Sequence, residues 1–472
     1  MNNKNKNLLN NIGILTISNF SSKILVFLLV PLYTRVLSTS EYGIYDLVIT
    51  TISLLFPIIT CNIIDAVMRF MMDNHYKKND VVTIGIRYIS FGILIFLIFL
   101  IFIKKLNYII ISDLYMYIFL YYVFYSLYQY MIQVSKGLEE VKYMGIAGVL
   151  GTVSMIIFNL LFLLVFNLKI NGFFLANILS QTIPSVYLFI KIKLWKYIDL
   201  KSWNKKLNHE MLDYCVPLII TVVGWWINSG SDRYIVTLFC GIAANGLLSI
   251  AYKIPTILNT FQGIFIQAWQ ISAIKEYGSQ DTKKFYGDIF ITVNLLMCII
   301  CSWLIILTRP IASLIYSNGF YIAWKYVPFL LLSSVFNSAS GLLGAILSAK
   351  KNSRAMMWSA IIGCVANIFL NILLVSLIGI QGAVISTAIC SYMIYYVRMK
   401  AVGDDIKIVN YNIIISTWIF LCIQGIIEIL NFSYVIEIII MGILLMINSR
   451  QVIALMNLSL IYIKKAIKRY EK

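Results

Sequence analysis

Apolar runs of about 20 residues recur along the whole chain with only short charged connectors between them, and nothing else in the sequence limits its folding as much. Each run is continuously apolar, without period-two alternation, so the runs read as helices rather than barrel strands. The predicted spans are 12–33, 44–63, 83–103, 113–135, 144–166, 170–190, 214–239, 247–270, 287–308, 325–348, 355–377, 380–400, 411–430 and 433–448. Composition points the same way. Of 472 residues, 60% are apolar and 12% charged, about half the roughly 25% charged of soluble domains, and the mean hydropathy is +0.86. A soluble enzyme and a disordered chain are both excluded. The net charge of +18 does not indicate a nucleic-acid binder, because no polar domain carries it. The expected fold class is an all-α integral membrane protein of about fourteen transmembrane helices.

Lysine and arginine in the connectors set the orientation. With the N-terminus inside, the inner segments hold 29 of these cations and the outer segments six: Arg35, Lys104, Lys105, Lys169, Arg309 and Lys325. That asymmetry predicts both termini in the cytoplasm and supports an even number of spans. The opening MNNKNKNLLNN is too polar for a cleaved signal peptide and reads as a cytoplasmic leader. The last residues, from Asn457 to Lys472, read as a basic amphipathic segment attracted to anionic lipid.

Three of the 38 cations, Lys23, Arg233 and Lys253, fall within spans. A charge at the bilayer centre costs at least about 2.5–3.5 kcal/mol, so such residues face a bundle interior or a wet cavity, or snorkel to the interface. The cavity reading suits Lys23, near mid-span, and Arg233, which has Asp232 beside it; for Lys253 snorkelling stays open.

The chain also carries an internal repeat. A shift of 210 residues lays SNFSSKILVFL (18–28) on NSGSDRYIVTL (228–238), superposing Lys23 on Arg233. The same shift lays INGFFLANILSQ (170–181) on IQGAVISTAICS (380–391), superposing Gly172 on Gly382. The expected organisation is an N-lobe of six helices (1–200), a C-lobe of six (201–405), an extra helix pair (406–450) and the basic tail (451–472). Two pseudo-symmetric lobes around a central cavity could rock to open it to one side at a time, and cations there would suit an anionic cargo.

Other motifs carry little chemistry. Cys298 and Cys301 form a CxxC on an apolar helix with no second pair, so neither a metal nor a redox role is expected. His75 and His209 lack a nucleophile or metal partner, and no P-loop is present. GIAGVLG (145–151) and GCVANIFLN (363–371) suit close helix packing. In YMYIFLYYVFYSLYQY (115–130) most rings are expected to pack or form an interfacial belt, with a sugar-lining role as the other possibility.

Several segments together resemble a known family: SKILVFLLVPLYTRVLSTSEYGIYDL (22–47) with DAVMRF (65–70), SDRYIVTLF (231–239) with NGLLSIAYKI (245–254), and LIGIQGAVISTAI (377–389). The chain is similar over most of its length to polysaccharide (O-antigen or capsule) flippases of the Wzx type. These belong to the multidrug/oligosaccharidyl-lipid/polysaccharide (MOP) exporter superfamily, with the multidrug (MATE) exporters and the lipid II flippase. The resemblance implies transport of an undecaprenyl-pyrophosphate-linked oligosaccharide from the inner to the outer leaflet of the bacterial cytoplasmic membrane. It implies a cationic cavity, with Lys23, Arg233 and Lys253 as matching candidates and Asp232 holding the Arg233 guanidinium. No cofactor is expected, and a coupling ion, H+ or Na+, is left open. A polysaccharide polymerase and a chain-length regulator are implied partners, nucleic acid is not, and the protein is expected to be a monomer and not an enzyme. The alternative is a MATE-like cation-coupled drug antiporter with Asp232 as its coupling carboxylate.

Overall fold

The computed structural model describes residues 25, 27–73, 75–105, 114–199, 204–279, 281–449, 451 and 453. Lys23, the N-terminal leader and nearly all of the basic tail lie outside the described residues. The described chain is helical throughout, with no strand among the described residues. Helix covers most of every expected span from 44–63 onward, although some spans are divided between two helices.

The helices are α1 (Val30–Val36), α2 (Thr39–Ile59), α3 (Ile63–Met71), α4 (Lys78–Lys105), α5 (Tyr115–Gly137), α6 (Val141–Asn159), α7 (Lys169–Lys191) and α8 (Lys205–Cys240). They continue with α9 (Ile242–Ala251), α10 (Lys253–Glu276), α11 (Thr282–Ile306), α12 (Thr308–Ile315), α13 (Val327–Ala349), α14 (Ser353–Ile378), α15 (Ile380–Val402), α16 (Tyr411–Ile429) and α17 (Tyr434–Ile447). Among the described residues nine helices are long and apolar enough to cross a membrane, or ten if Lys205–Gly224 and Trp226–Cys240 form one bent span. By that measure the expected fourteen are not all reached. Tyrosines dilute the hydropathy of α5, and α17 has only 14 residues. Exposed apolar stripes such as Val149, Val153 and Ile157 on α6, or Val365, Phe369 and Ile372 on α14, are surfaces for lipid. The chain is a multi-pass helical membrane protein.

It divides into two compact units, Met1–Gly230 and Ser231–Lys472. In the first, Ser38 and Glu41 make a capping box at the start of α2: the Glu41 amide donates to the Ser38 hydroxyl (3.1 Å) and the Ser38 amide to the Glu41 carboxylate (2.8 Å). Cys61 and Asn62 both adopt positive φ, which separates α2 from α3. The tyrosine-rich α5 supplies core: Tyr122 stacks on Phe96 at 3.9 Å, and the Tyr130 hydroxyl donates to the Val82 carbonyl (2.7 Å).

In the second unit α13 is the central helix, packed against α10, α11, α15 and α16. The α16–α17 pair docks on α11 through buried amides: Ser302 donates to Gln424 (2.8 Å) and the Trp418 indole to Asn294 (3.3 Å). The repeat is visible in helix lengths. Helices α5 and α13 have 23 residues each, as do α7 and α15. Gly172 and Gly382 occupy matching places, each where its helix meets the backbone of the one before it: Gly172 lies against the Phe162 carbonyl and Gly382 against that of Leu374.

Two arginines counted as connector cations prove to be folded in among the helices, Arg398 buried and Arg309 half-buried. Arg398 lies within α15 at 7% exposure, donating from Nε to the Ser359 hydroxyl (3.0 Å) and from Nη1 to the Ser340 carbonyl (2.9 Å). Arg309, on α12, is enclosed by the α16–α17 pair. A charge count along the sequence cannot tell a residue beyond a helix end from one folded back under its neighbours.

Candidate functional site

The last turns of α8 deliver Ser231, Asp232 and Arg233 to the second unit. Gly241, at φ +86°, then reverses the chain into α9. The expected single span over 247–270 is broken at Tyr252. Pro255 has no amide hydrogen and its ring clashes with the carbonyl four residues back, at Ala251, so the helix ends there and restarts as α10. Lys253 is therefore the first residue of α10, half-buried, instead of lying within a continuous span.

The break turns Tyr252 toward α8. Its hydroxyl donates to the Asp232 carboxylate, which is 4% exposed and also accepts from the Arg233 amide (3.1 Å). The half-buried Arg233 guanidinium lies 5.3 Å from the centre of the Tyr252 ring, a cation–π contact. Next to it, Ser231 donates to the Asn367 side-chain oxygen (3.0 Å), and Asn371 donates to the same atom (3.0 Å). Thr387 of α15 stands within hydrogen-bonding reach of Tyr252. Its repeat-mate Asn177 accepts from the Tyr45 hydroxyl (2.8 Å) in the first unit.

Of the residues singled out from sequence, the structure thus places Asp232 and Arg233 around one tyrosine ring, with Lys253 next to that tyrosine. Tyr252, Asn367, Asn371 and Thr387 were missed. The asparagines carried a signal, since amides four residues apart share one face of an apolar helix. They sit inside the stretch read as small-residue packing.

Chemically, the cluster offers one carboxylate, hydroxyl and amide oxygens, and a guanidinium able to grip phosphate in bidentate fashion. The oxygen set suits a proton or a hard monovalent cation, not a transition metal. Among the described residues there is no group of three His, Cys, Asp or Glu side chains that could hold a metal. Cys298 and Cys301 are both buried thiols on α11. Outside the bilayer, His75 sits 2.7 Å from Asp73 and, chiefly through a backbone hydrogen bond, holds that carboxyl below its usual range. A cavity of about 610 Å³ lies elsewhere, where Lys283, Lys284 and Lys407 meet Asp281, Asp288 and Asp405. Its charges balance, so it does not select an anion.

The chain is similar over 289 residues, at 23% identity, to an uncharacterized membrane protein of Methanocaldococcus jannaschii, matching 57% of this chain and 66% of that protein. Its fold is similar to that of lipid II flippase MurJ in an inward closed conformation (TM-score 0.70, 17% identity, 94% of this chain and 99% of that one). It is also similar to a multidrug resistance MATE family transporter of the MOP superfamily in an inward-facing conformation (TM-score 0.64, 12% identity, 87% and 96%). A third likeness is to a MOP superfamily transporter from Pyrococcus furiosus (TM-score 0.57, 12% identity, 89% and 96%). The fold is that of the MOP exporters. Residues 8–270 match the polysaccharide biosynthesis protein family, and since that is more than half of the chain, the protein belongs to this family.

Proposed function

We propose that this protein is a flippase for a lipid-linked oligosaccharide: an undecaprenyl-pyrophosphate-linked repeat unit, moved from the inner to the outer leaflet of the bacterial cytoplasmic membrane for O-antigen or capsule synthesis. Membership of the polysaccharide biosynthesis family is the observation that carries this reading, and the MurJ-like fold supports it. The process is transport, with no bond made or broken. In this reading the chain has two six-helix lobes (1–200 and 201–405), a terminal pair (406–450) and a tail (451–472), with both termini cytoplasmic. Lys23, Arg233 and Lys253 form the cationic lining, and Asp232 and Tyr252 orient Arg233. The protein works as a monomer beside a polysaccharide polymerase and a chain-length regulator.

Electrostatics suit such a cargo. A pyrophosphate diester carries about two negative charges, and an inside-negative potential favours their outward movement by about 2.3 kcal/mol per charge per 100 mV. The emptied cationic site is drawn back by the same field, so a coupling ion is not obligatory.

The test is translocation of a fluorescent undecaprenyl-pyrophosphate oligosaccharide in reconstituted vesicles. Arg233→Ala removes charge-assisted hydrogen bonds of about 1.5–3 kcal/mol and lowers the rate at least about tenfold. Wild-type translocation by both Arg233→Ala and Lys23→Ala rules out the cationic site. A second reading, a cation-coupled drug antiporter, is favoured by one observation: the Asp232 carboxylate is buried among oxygen ligands. Drug efflux that stops in Asp232→Asn, with no movement of the lipid-linked sugar, would establish that reading instead.

A further inference from the structure

Arg309 is clamped where α16 turns into α17. Its Nε donates to Glu428 Oε2 (2.9 Å), and Nη2 lies 2.7 Å from the same oxygen. Nη2 also donates to Glu437 Oε1 (3.0 Å) and to the Phe432 carbonyl (3.1 Å), and Nη1 donates to the Asn431 side chain. The Tyr434 and Trp324 rings lie 4.2 and 5.8 Å from the guanidinium carbon.

Two facts do not fit a simple ion pair. Both carboxylates are 0% exposed, yet a single guanidinium serves the two, which would leave a net negative charge sealed among apolar helices. Moreover, Glu428 Oε1 and Glu437 Oε2 are buried with no donor among the described residues, although the two side chains lie within hydrogen-bonding reach of each other. Ionised carboxylates only accept hydrogen bonds, so two of them in contact repel, and the one guanidinium that bridges them through Nη2 carries a single positive charge against two negative ones. The other groups facing the pair are Tyr434 on α17, Asn431 and the Phe432 carbonyl in the turn, and Trp324. Tyr321 is close to Tyr434, and Lys325 lies 5.9 Å from the Trp324 ring. None of these donates to Glu428 Oε1 or Glu437 Oε2.

We propose that Glu428 and Glu437 hold one exchangeable proton between them, so that the turn of the terminal helix pair is a proton-binding site. With the proton present, one acid O–H donates to the facing carboxylate, Arg309 balances the remaining negative charge, and α12, α16 and α17 are joined at one point. When the proton leaves to solvent, along the partly exposed Arg309 side chain, the buried charge becomes uncompensated and α17 loosens from the cluster. The site stands apart from the Asp232–Arg233 cluster and goes beyond the transport reading; its occupancy does not depend on what the protein carries.

Infrared difference spectroscopy of the full chain in lipid nanodiscs tests this. The wild type should show a protonated-carboxyl C=O band at neutral pH that shifts in D2O and disappears in alkaline buffer. Glu428→Gln and Glu437→Gln should each abolish it, because either change leaves one carboxylate paired with one guanidinium. A band that survives in either variant, no band in the wild type, or a band that sodium suppresses at neutral pH would each overturn the proposal, the last by showing that a metal cation occupies the site. The thermal midpoint of the wild type should also fall from neutral to alkaline pH, and a flat profile overturns the proposal even where neither variant folds.

Discussion

Gly382→Ala tests the packing on which the second unit depends. A Cβ built at Gly382 would stand 2.2 Å from the Leu374 carbonyl oxygen, 2.3 Å from its carbon and 2.6 Å from the Val375 nitrogen. All three are backbone atoms and cannot rotate away. Ordinary contact begins near 3.4 Å, so α14 and α15 would have to part by about 1 Å, which puts the cost at or above the upper end of the about 1–3 kcal/mol typical of overpacking. Alanine returns up to about 1 kcal/mol of helix propensity, leaving a net loss of about 2 kcal/mol or more. The repeat-mate is a built-in control. At Gly172 the corresponding contacts are 2.9 Å to Leu168 Cβ and 3.0 Å to both Phe162 Cβ and the Phe162 carbonyl oxygen, so the neighbours must give by about half an ångström instead of about 1 Å and Gly172→Ala should cost clearly less than Gly382→Ala. Thermal unfolding of both variants in detergent, followed by fluorescence and by recovery of monodisperse protein, gives the comparison. The expected result is a midpoint several degrees lower for Gly382→Ala and a smaller decrease for Gly172→Ala, at about 2–4 °C per kcal/mol or somewhat less in a chain this long. Equal midpoints, or a larger loss at Gly172, would refute the argument from backbone contact.

Two further outcomes follow from buried and surface charge. Arg398 has two neutral hydrogen-bond partners and no carboxylate partner among the described residues, so Arg398→Met, which fills the volume without a charge to desolvate, should be at least as stable as wild type; Arg398→Ala, which leaves a cavity, should lose about 2–5 kcal/mol. A methionine variant as unstable as the alanine variant would count against this. At the surface, Lys350 makes a 2.6 Å ion pair with Asp405 that holds its ammonium pKa above the usual lysine value. That stabilisation is complete below the ordinary lysine pKa and disappears as pH rises through the raised one, so Lys350→Met should lower the midpoint at neutral pH but not in strong alkali, by no more than about 1 kcal/mol for so exposed a pair; an equal decrement in both buffers would refute the assignment.

Much of the fold was legible because a bilayer supplies no hydrogen bonds, so long apolar stretches must be helices and their lengths can be read directly. The repeat was legible for a related reason: close helix contacts demand glycine at particular places, and Gly172 and Gly382 mark the same place twice. The candidate site was only half legible. Asp232 and Arg233 stood out as charges in an apolar run, but Tyr252 looked like one of 31 tyrosines, and its role depends on the break that Pro255 imposes.

Sequence alone therefore determined the class of structure, the positions of most helices and the duplication, since these follow from transfer energies and steric needs local to each segment. Tertiary structure alone decided how the charges are used. Arg309 and Arg398 each counted as one connector cation, yet folding clamps one against two buried carboxylates from α16 and α17 and buries the other among neutral serines. The energy of a buried charge depends on what surrounds it, and its neighbours here come from residues tens of positions or more than a hundred away in the chain.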